Sequence, residues 1–356
     1  MVSNAERKVI AFEPGLPNVY GVAHPKELLR AIDEEHEILL ELTNRHIVSG
    51  DQFSRALMLQ LFRLAAKFEA NPKRFSSPLT GKLLISAFYE PSTRTRLSFE
   101  SAWHRLGGDI MSITDRATTG IAKGESYADV AEMFNNYGDC VVLRDSQEQA
   151  VHRMAAQLRI PIINAGNGID EHPTQALADL YTILKWRPGM ATGEAEPVRI
   201  GIVGVPARMR TVRSLLTVLS RFAERIEAVT IVTDTPAAEA FSEGQREALE
   251  GRGMTLEVTS DLDAVLPSFD VVYINAIAWV EDDAEVLGAR YRLDADSPLK
   301  PGAIVMHPLA RGEELDTSLD ATPHNWYFAQ ARGAVFLRMA LLTCMMERAA
   351  RVMDVI

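Results

Sequence analysis

From residue 83 onward the chain alternates short apolar runs with longer helical stretches, and no other feature narrows the fold as far. The runs are Leu83–Phe88, Cys140–Leu143, Pro161–Asn164, Val198–Val203, Val229–Thr233, Val271–Ile274 and Ala303–Met306. Short, nearly continuous apolar runs of this kind suit strands buried on both faces. Helical stretches lie between most of them, including Thr95–Leu106, Tyr127–Asn135, Pro173–Lys185 and Met209–Phe222. Strands alternating with helices imply parallel sheets with helical crossovers, so the class is α/β. Ligands of such sheets collect outside the carboxyl ends of strands.

The length of 356 residues, at roughly 100–200 residues per domain, implies about two domains. A boundary falls at Trp186–Pro197, rich in Gly, Pro, Ala and Glu and without an apolar period. A second crossover near 325–333 would return the chain to the first domain, where a last helix, Gly333–Val352, would pack. Ahead of the alternating region, residues 1–23 read as an irregular arm, Pro25–Leu42 as one amphipathic helix and Asp51–Phe68 as a second. The formal charge of −11 argues against nucleic acid or an anionic membrane as partner, although local arginines can still invert the field inside one cleft. Cys140 and Cys344, the only cysteines, read as reduced core thiols. Such sparse usage suits a reducing, cytoplasmic setting. The N-terminus lacks a signal-type apolar segment, and no run approaches the ~18 apolar residues of a membrane span.

The strand Leu83–Phe88 runs into Tyr89-Glu90-Pro91-Ser92-Thr93-Arg94-Thr95-Arg96-Leu97-Ser98-Phe99, and the helix opened there stops at Gly107-Gly108. A helix N-terminus carries unpaired N–H groups and partial positive charge, so it attracts anions. Three hydroxyls and two guanidiniums within Ser92–Arg96 add donors at the same place, and arginine can grip a phosphate with two donors at once. A plain N-cap needs one hydroxyl, not this cluster. The Gly-x4-Gly-Lys-Ser/Thr pattern of a nucleotide loop is absent from this turn.

This turn resembles the phosphate-binding signature of the aspartate and ornithine carbamoyltransferase family. Three further segments resemble it in order: His172-Pro173-Thr174-Gln175-Ala176-Leu177-Ala178-Asp179, His307-Pro308-Leu309 in the aspartate-type form, and Thr322-Pro323-His324-Asn325-Trp326-Tyr327-Phe328. The likeness spans about 46–350. It implies two α/β domains: 46–186 with 330–356 for carbamoyl phosphate and 187–329 for an amino acceptor, behind an N-terminal extension, 1–45. It also implies trimers with active sites shared between subunits, the pairing of trimers being left open.

On this resemblance, Ser92, Thr93, Arg94 and Thr95 hold the phosphate, and Arg144 bridges phosphate and carbonyl oxygen. His172 and Thr95 donate to that oxygen as charge develops on it. Gln175 and the carbonyls of Pro308 and Leu309 accept from the carbamoyl NH2. Thr119, where the family has Ser, and Lys123 reach a neighbour's site, with Lys123 also facing the acceptor. Thr95, Arg144 and His172 form the catalytic set, Arg210 grips the acceptor's α-carboxylate, and neither cofactor nor metal is required.

The pattern breaks after Val271–Ile274. Aspartate has two carboxylates, and the second clamp should read Arg-x-Gln. The sequence instead reads Asn275-Ala276-Ile277-Ala278, with Ala276 and Ala278 at the clamp positions. An uncompensated buried carboxylate is costly. The expected acceptor is therefore not aspartate but a molecule with one carboxylate: ureidoglycine first, its neutral ureido group held by Asn275 or backbone groups, giving allantoate, the reverse reaction belonging to purine catabolism; then oxamate. A displaced clamp from Arg290 or Arg292 would restore aspartate. Ala310 stands where the family has Pro. A non-catalytic scaffold should have lost Arg94, Arg144, His172 or Lys123, and all four are present. Gly201-Ile202-Val203-Gly204 only partly matches a dinucleotide turn.

Overall fold

The computed structural model describes residues 24–72, 77–275 and 291–348. Its strands are β1 (Leu83–Phe88), β2 (Asp109–Ile113), β3 (Cys140–Asp145), β4 (Ile162–Asn167), β5 (Val198–Val203), β6 (Ile226–Val232), β7 (Leu256–Thr259), β8 (Val271–Ile274) and β9 (Ile304–Met306). They form two parallel sheets, ordered β2-β1-β3-β4 and β7-β6-β5-β8-β9. The helices are α1 (His24–Ala31), α2 (Arg55–Ala70), α3 (Thr93–Arg105), α4 (Tyr127–Tyr137), α5 (Ala150–Ala155), α6 (Pro173–Trp186), α7 (Gly189–Thr192), α8 (Arg210–Leu219), α9 (Gln245–Gly251), α10 (Leu262–Val265) and α11 (Tyr327–Met345). The α/β expectation with two parallel sheets holds.

Each of the seven apolar runs is a strand. The two strands without such a run, β2 and β7, close one edge of each sheet. An edge strand needs no continuous apolar sequence, and Asp109 and Glu257 stand exposed in them. Register carries the sheet into the site. Phe88 pairs with Arg144, so Arg144 sits at the carboxyl end of β3 beside the turn that follows β1.

Three helix expectations need correction. The single helix over Pro25–Leu42 is α1 followed by a separate 3-10 segment, His36–Leu42. The break is held by tertiary bonds: Gln60 Nε2 donates to Asp33 O (2.9 Å), Gln60 Oε1 accepts from Glu35 N–H (3.0 Å), and Arg63 Nε donates to Ile32 O (3.0 Å). The helix over Asp51–Phe68 starts instead at Arg55, because the Ser54 side chain caps Leu57 N–H. The last helix begins at Tyr327 and ends at Met345, ahead of Val352.

Although α11 follows the second sheet in sequence, it packs on α2, α3 and α6 beside the first. Helix α6 packs in turn on α8, which joins the two halves. Between α2 and α6 a buried pair, Lys185 and Glu69 (2.9 Å), is completed by the Tyr181 hydroxyl, which donates to Glu69 (2.8 Å). A buried ion pair needs such extra bonds to offset its desolvation. Cys140 and Cys344 are free and buried, and burial pushes both thiols up to about 12. Among the described residues no helix is long and apolar enough to cross a membrane.

Candidate active site

Both sheets direct their carboxyl ends at one cavity of about 540 Å³. Its walls are the turn after β1, the end of β3, the loop after β4, the turn after β5, Asn275 after β8 and His307–Leu309 after β9, with α11 along one side. The first three sequence signatures lie in these loops because parallel strands gather their carboxyl ends in one place, while Thr322–Phe328 is not part of the lining.

Helix α3 opens the cavity. Its N-cap, Ser92, has extended backbone and makes no side-chain capping bond, so its hydroxyl is not spent on the helix, contrary to the plain-cap alternative. Ser92, Thr93, Arg94 and Thr95 line the cavity together. Burial lowers the Arg94 guanidinium. On the facing helix the side chain of Arg338, 2 % exposed, donates to Ser98 Oγ (2.7 Å) and lies over the Phe99 ring (4.7 Å). Burial brings Arg338 down to about 10.

Arg144 and Arg210 form the centre. The Glu90 carboxylate accepts from Arg144 Nη2, and from Arg210 Nη2 at 2.7 Å. Arg210 also donates to Gly168 O, and Arg144 Nη1 to Ala165 O (3.4 Å). Burial alone would raise the Glu90 carboxyl, but the bond from Arg210 and the charge of Arg144 outweigh it and hold it below the usual carboxylate value. Gly166 lies beneath both guanidiniums at φ +112°, and a Cβ there would stand 3.2 Å from Arg144 Nη1 and 3.3 Å from Arg210 Cζ. Only glycine combines that backbone with that clearance.

His172 is the residue before α6 and is 3 % exposed. Its backbone N–H donates to Ser214 Oγ (3.0 Å), while its ring Nδ1 is buried without a protein partner. Burial, reinforced by Arg144, Arg210 and Arg338, drives the imidazole well below its usual value. The ring is therefore neutral, with an N–H available to a bound oxygen. Gln175 follows on α6 and donates to Asp179 Oδ1 (2.7 Å). At the end of β9, His307 Nδ1 accepts from Leu309 N–H (2.7 Å), so Nε2 carries the hydrogen facing Glu314 (2.9 Å). Leu309 has φ +56° and precedes Ala310 through a cis peptide.

Eleven expected residues thus meet at one cavity: Ser92, Thr93, Arg94, Thr95, Arg144, His172, Gln175, Arg210, Asn275, Pro308 and Leu309. Asn275 Nδ2 is engaged by Thr211 Oγ1 (3.0 Å). Thr119 and Lys123 are not among them. They lie on 3-10 turns, Arg116–Thr118 with Thr119 as its cap and Gly120–Lys123. Thr119 donates to Arg116 O (2.7 Å) and borders a separate cavity of about 420 Å³. Ala276, Ala278 and Arg290 lie outside the described residues. Arg292 is no displaced clamp, because it pairs with Asp316 and is half exposed. The sequence reading missed Glu90 as counter-ion, along with Asp179, Gln330 and Arg338. The signal for the last two was a polar side chain in an apolar helix, which needs a buried partner.

The family comparisons agree with this geometry. The chain matches "Aspartate/ornithine carbamoyltransferase, carbamoyl-P binding domain" over residues 45–185 and "Aspartate/ornithine carbamoyltransferase, Asp/Orn binding domain" over 196–345. It is 36 % identical over 308 residues to the aspartate carbamoyltransferase catalytic subunit of Chromobacterium violaceum, covering 85 % of this chain and 98 % of that one. It is 38 % identical to the chloroplastic aspartate carbamoyltransferase of Arabidopsis thaliana, over 83 % and 76 % of the two chains. The crystal structure of Trypanosoma cruzi aspartate transcarbamoylase with N-(phosphonacetyl)-L-aspartic acid superposes with a TM-score of 0.78 at 33 % identity, over 86 % of this chain and 97 % of that one. These relatives give no support to ureidoglycine as acceptor, nor to the expectation that aspartate is excluded. A second carboxylate clamp can be supplied from elsewhere in a fold than the positions of Ala276 and Ala278. The chain is an enzyme of carbamoyl transfer and belongs to the aspartate/ornithine carbamoyltransferase family.

Proposed function

We propose that this enzyme transfers the carbamoyl group of carbamoyl phosphate to the amine of aspartate. The observation that carries the reading is the meeting, in one cavity, of the α3 N-terminus, Arg94, Arg144 and a neutral His172. The sheet unit of 46–186 with 330–356 would take carbamoyl phosphate, and that of 187–329 the acceptor. Ser92, Thr93, Arg94 and Thr95 bind the phosphate through the helix terminus and side-chain donors. Arg144 spans phosphate and carbonyl oxygen. The His172 N–H and the Thr95 hydroxyl stabilise that oxygen as the neutral amine attacks and charge builds on it. Gln175, Pro308 and Leu309 accept from the carbamoyl NH2. The tetrahedral intermediate collapses with loss of phosphate, which can carry off the amine's proton. No covalent enzyme intermediate is needed, and rate enhancement comes from positioning and electrostatics.

Arg210 takes the acceptor's α-carboxylate once Glu90 yields it. Thr119 and Lys123, which do not line the cavity of their own chain, serve the cavity of a second copy in a trimer. The aspartate acceptor is supported by the relatives' names and by their solved complexes, including a Trypanosoma cruzi structure with carbamoyl phosphate and aspartate. A second reading, an acceptor with one carboxylate, is favoured by one observation: Ala276 and Ala278 offer no second guanidinium. Phosphate release by purified protein with carbamoyl phosphate and aspartate, ornithine, ureidoglycine or oxamate separates the readings. Turnover with aspartate alone is expected. Turnover with ureidoglycine or oxamate but not aspartate would overturn the first reading.

A further inference from the structure

Asp179 is fully buried one helical turn beyond Gln175, and no part of the mechanism above uses it. Three donors from three elements converge on its carboxylate: Gln175 Nε2 of α6 (2.7 Å) and Gln330 Nε2 of α11 (2.6 Å) on Oδ1, and the Tyr273 hydroxyl of β8 (2.9 Å) on Oδ2. A carboxylate only accepts, so it fixes which way both amides face. Each glutamine must turn its NH2 to Asp179 and its carbonyl oxygen away. In Gln175 that leaves Oε1 for the cavity the residue lines. In Gln330, Oε1 accepts from His307 N–H (2.9 Å). His307 in turn holds Leu309 N–H through Nδ1 (2.7 Å) and is anchored to Glu314 through Nε2 (2.9 Å). The two carbonyls of Pro308 and Leu309 are therefore set by a relay that starts at the same carboxylate.

Every acceptor assigned to the carbamoyl NH2 thus traces back to Asp179, directly through Gln175 or by way of Gln330 and His307. We propose that Asp179 is the positioning residue for carbamoyl specificity, presenting only acceptors to the transferred group and so excluding an acyl phosphate that has no N–H to offer. This inference rests on the proposed carbamoyl transfer and deepens it. An acetyl group has nearly the shape of a carbamoyl group but replaces NH2 with CH3. It would leave Gln175 Oε1 and the loop carbonyls unpaired, and a site built to hydrogen-bond a group rejects the analogue lacking it.

The test is the ratio of kcat/KM for carbamoyl phosphate to that for acetyl phosphate. Asp179→Leu removes all three hydrogen bonds that Asp179 accepts while keeping its branched heavy-atom shape. The ratio is expected to fall about tenfold or more, mostly by loss with carbamoyl phosphate, while affinity for inorganic phosphate, measured by calorimetry, stays within about threefold. Asp179→Asn keeps an acceptor at Oδ1 and should retain most of the ratio. A folded Asp179→Leu with intact phosphate binding and an unchanged ratio would overturn the inference. Gln330→Met cuts only the relay and keeps the question measurable if Asp179→Leu does not fold: a fall of about threefold supports the inference, and no change refutes it. Wild-type protein inert toward carbamoyl phosphate with every acceptor would instead defeat the proposed function itself.

Discussion

On the α3 side of the cavity Arg94 stands without a carboxylate paired to it among the described residues, whereas Arg144, at the carboxyl end of β3, and Arg210, at the start of α8, share the carboxylate of Glu90. Arg94 keeps a standing positive field, and burial lowers its guanidinium. Arg144 and Arg210 are half neutralised, two cations sharing one carboxylate, until something replaces Glu90. A phosphate dianion therefore finds Arg94 prepared but shares Arg144 with Glu90, while an acceptor carboxylate must compete with Glu90 for Arg210. Readiness on one side and exchange on the other follow from where a single glutamate sits.

The comparison can be broken most sharply at Arg94. With no local counter-ion to relieve, Arg94→Ala should cost about 10³-fold in kcat/KM for carbamoyl phosphate, read by steady-state kinetics. A loss below about tenfold would mean the standing field is made elsewhere. His172→Ala should lower kcat by about 10²-fold with less effect on the acceptor KM. Its pH behaviour is also fixed. The native imidazole lies well below the unfolded value of about 6.5, so the unfolded chain takes up the proton first. The stability tied to this group is complete above that value and declines as pH falls below it. Titration of labelled histidine by NMR should show this ring unprotonated where an exposed imidazole is half charged.

Arg210→Ala should raise the acceptor KM by about 30-fold while carbamoyl phosphate binding changes less than about threefold, because the variant removes a charge-assisted grip on one carboxylate only. Equal effects on both substrates would erase the division between the two sides. Glu90→Gln should tighten inorganic phosphate binding about threefold, as Arg144 and Arg210 lose their counter-ion, measured by calorimetry. Arg292→Ala should be nearly silent, within about 0.5 kcal/mol in stability and without effect on the acceptor KM, since its partner is Asp316 at the surface.

The strands that carry the site were readable because burial on both faces forces a continuous apolar run, as in Leu83–Phe88. Strands β2 and β7 were not, because an edge carries no such demand. The phosphate turn was legible from local chemistry: hydroxyls and guanidiniums at a helix start have few other uses. Glu90 was present in the same motif, yet its role depends on Arg144 and Arg210, which stand 54 and 120 residues away. Gln330 and Arg338 show the same limit. Their polarity within an apolar helix signals a buried partner, but only the fold identifies Asp179 and Ser98. Ala276 and Ala278 mark the opposite limit: missing side chains say what a position lacks, not what the rest of the fold can supply there.

Helix α11 offers a last consequence. It is made by the final third of the chain but seated against α2, α3 and α6. A single cut in the segment between α7 and β5 would therefore leave two fragments, each lacking a piece of its own interior that the other supplies. Such fragments should not fold as separate modules, yet they should reassociate when mixed. The topology makes this chain a natural candidate for splitting into two polypeptides that regain activity only together.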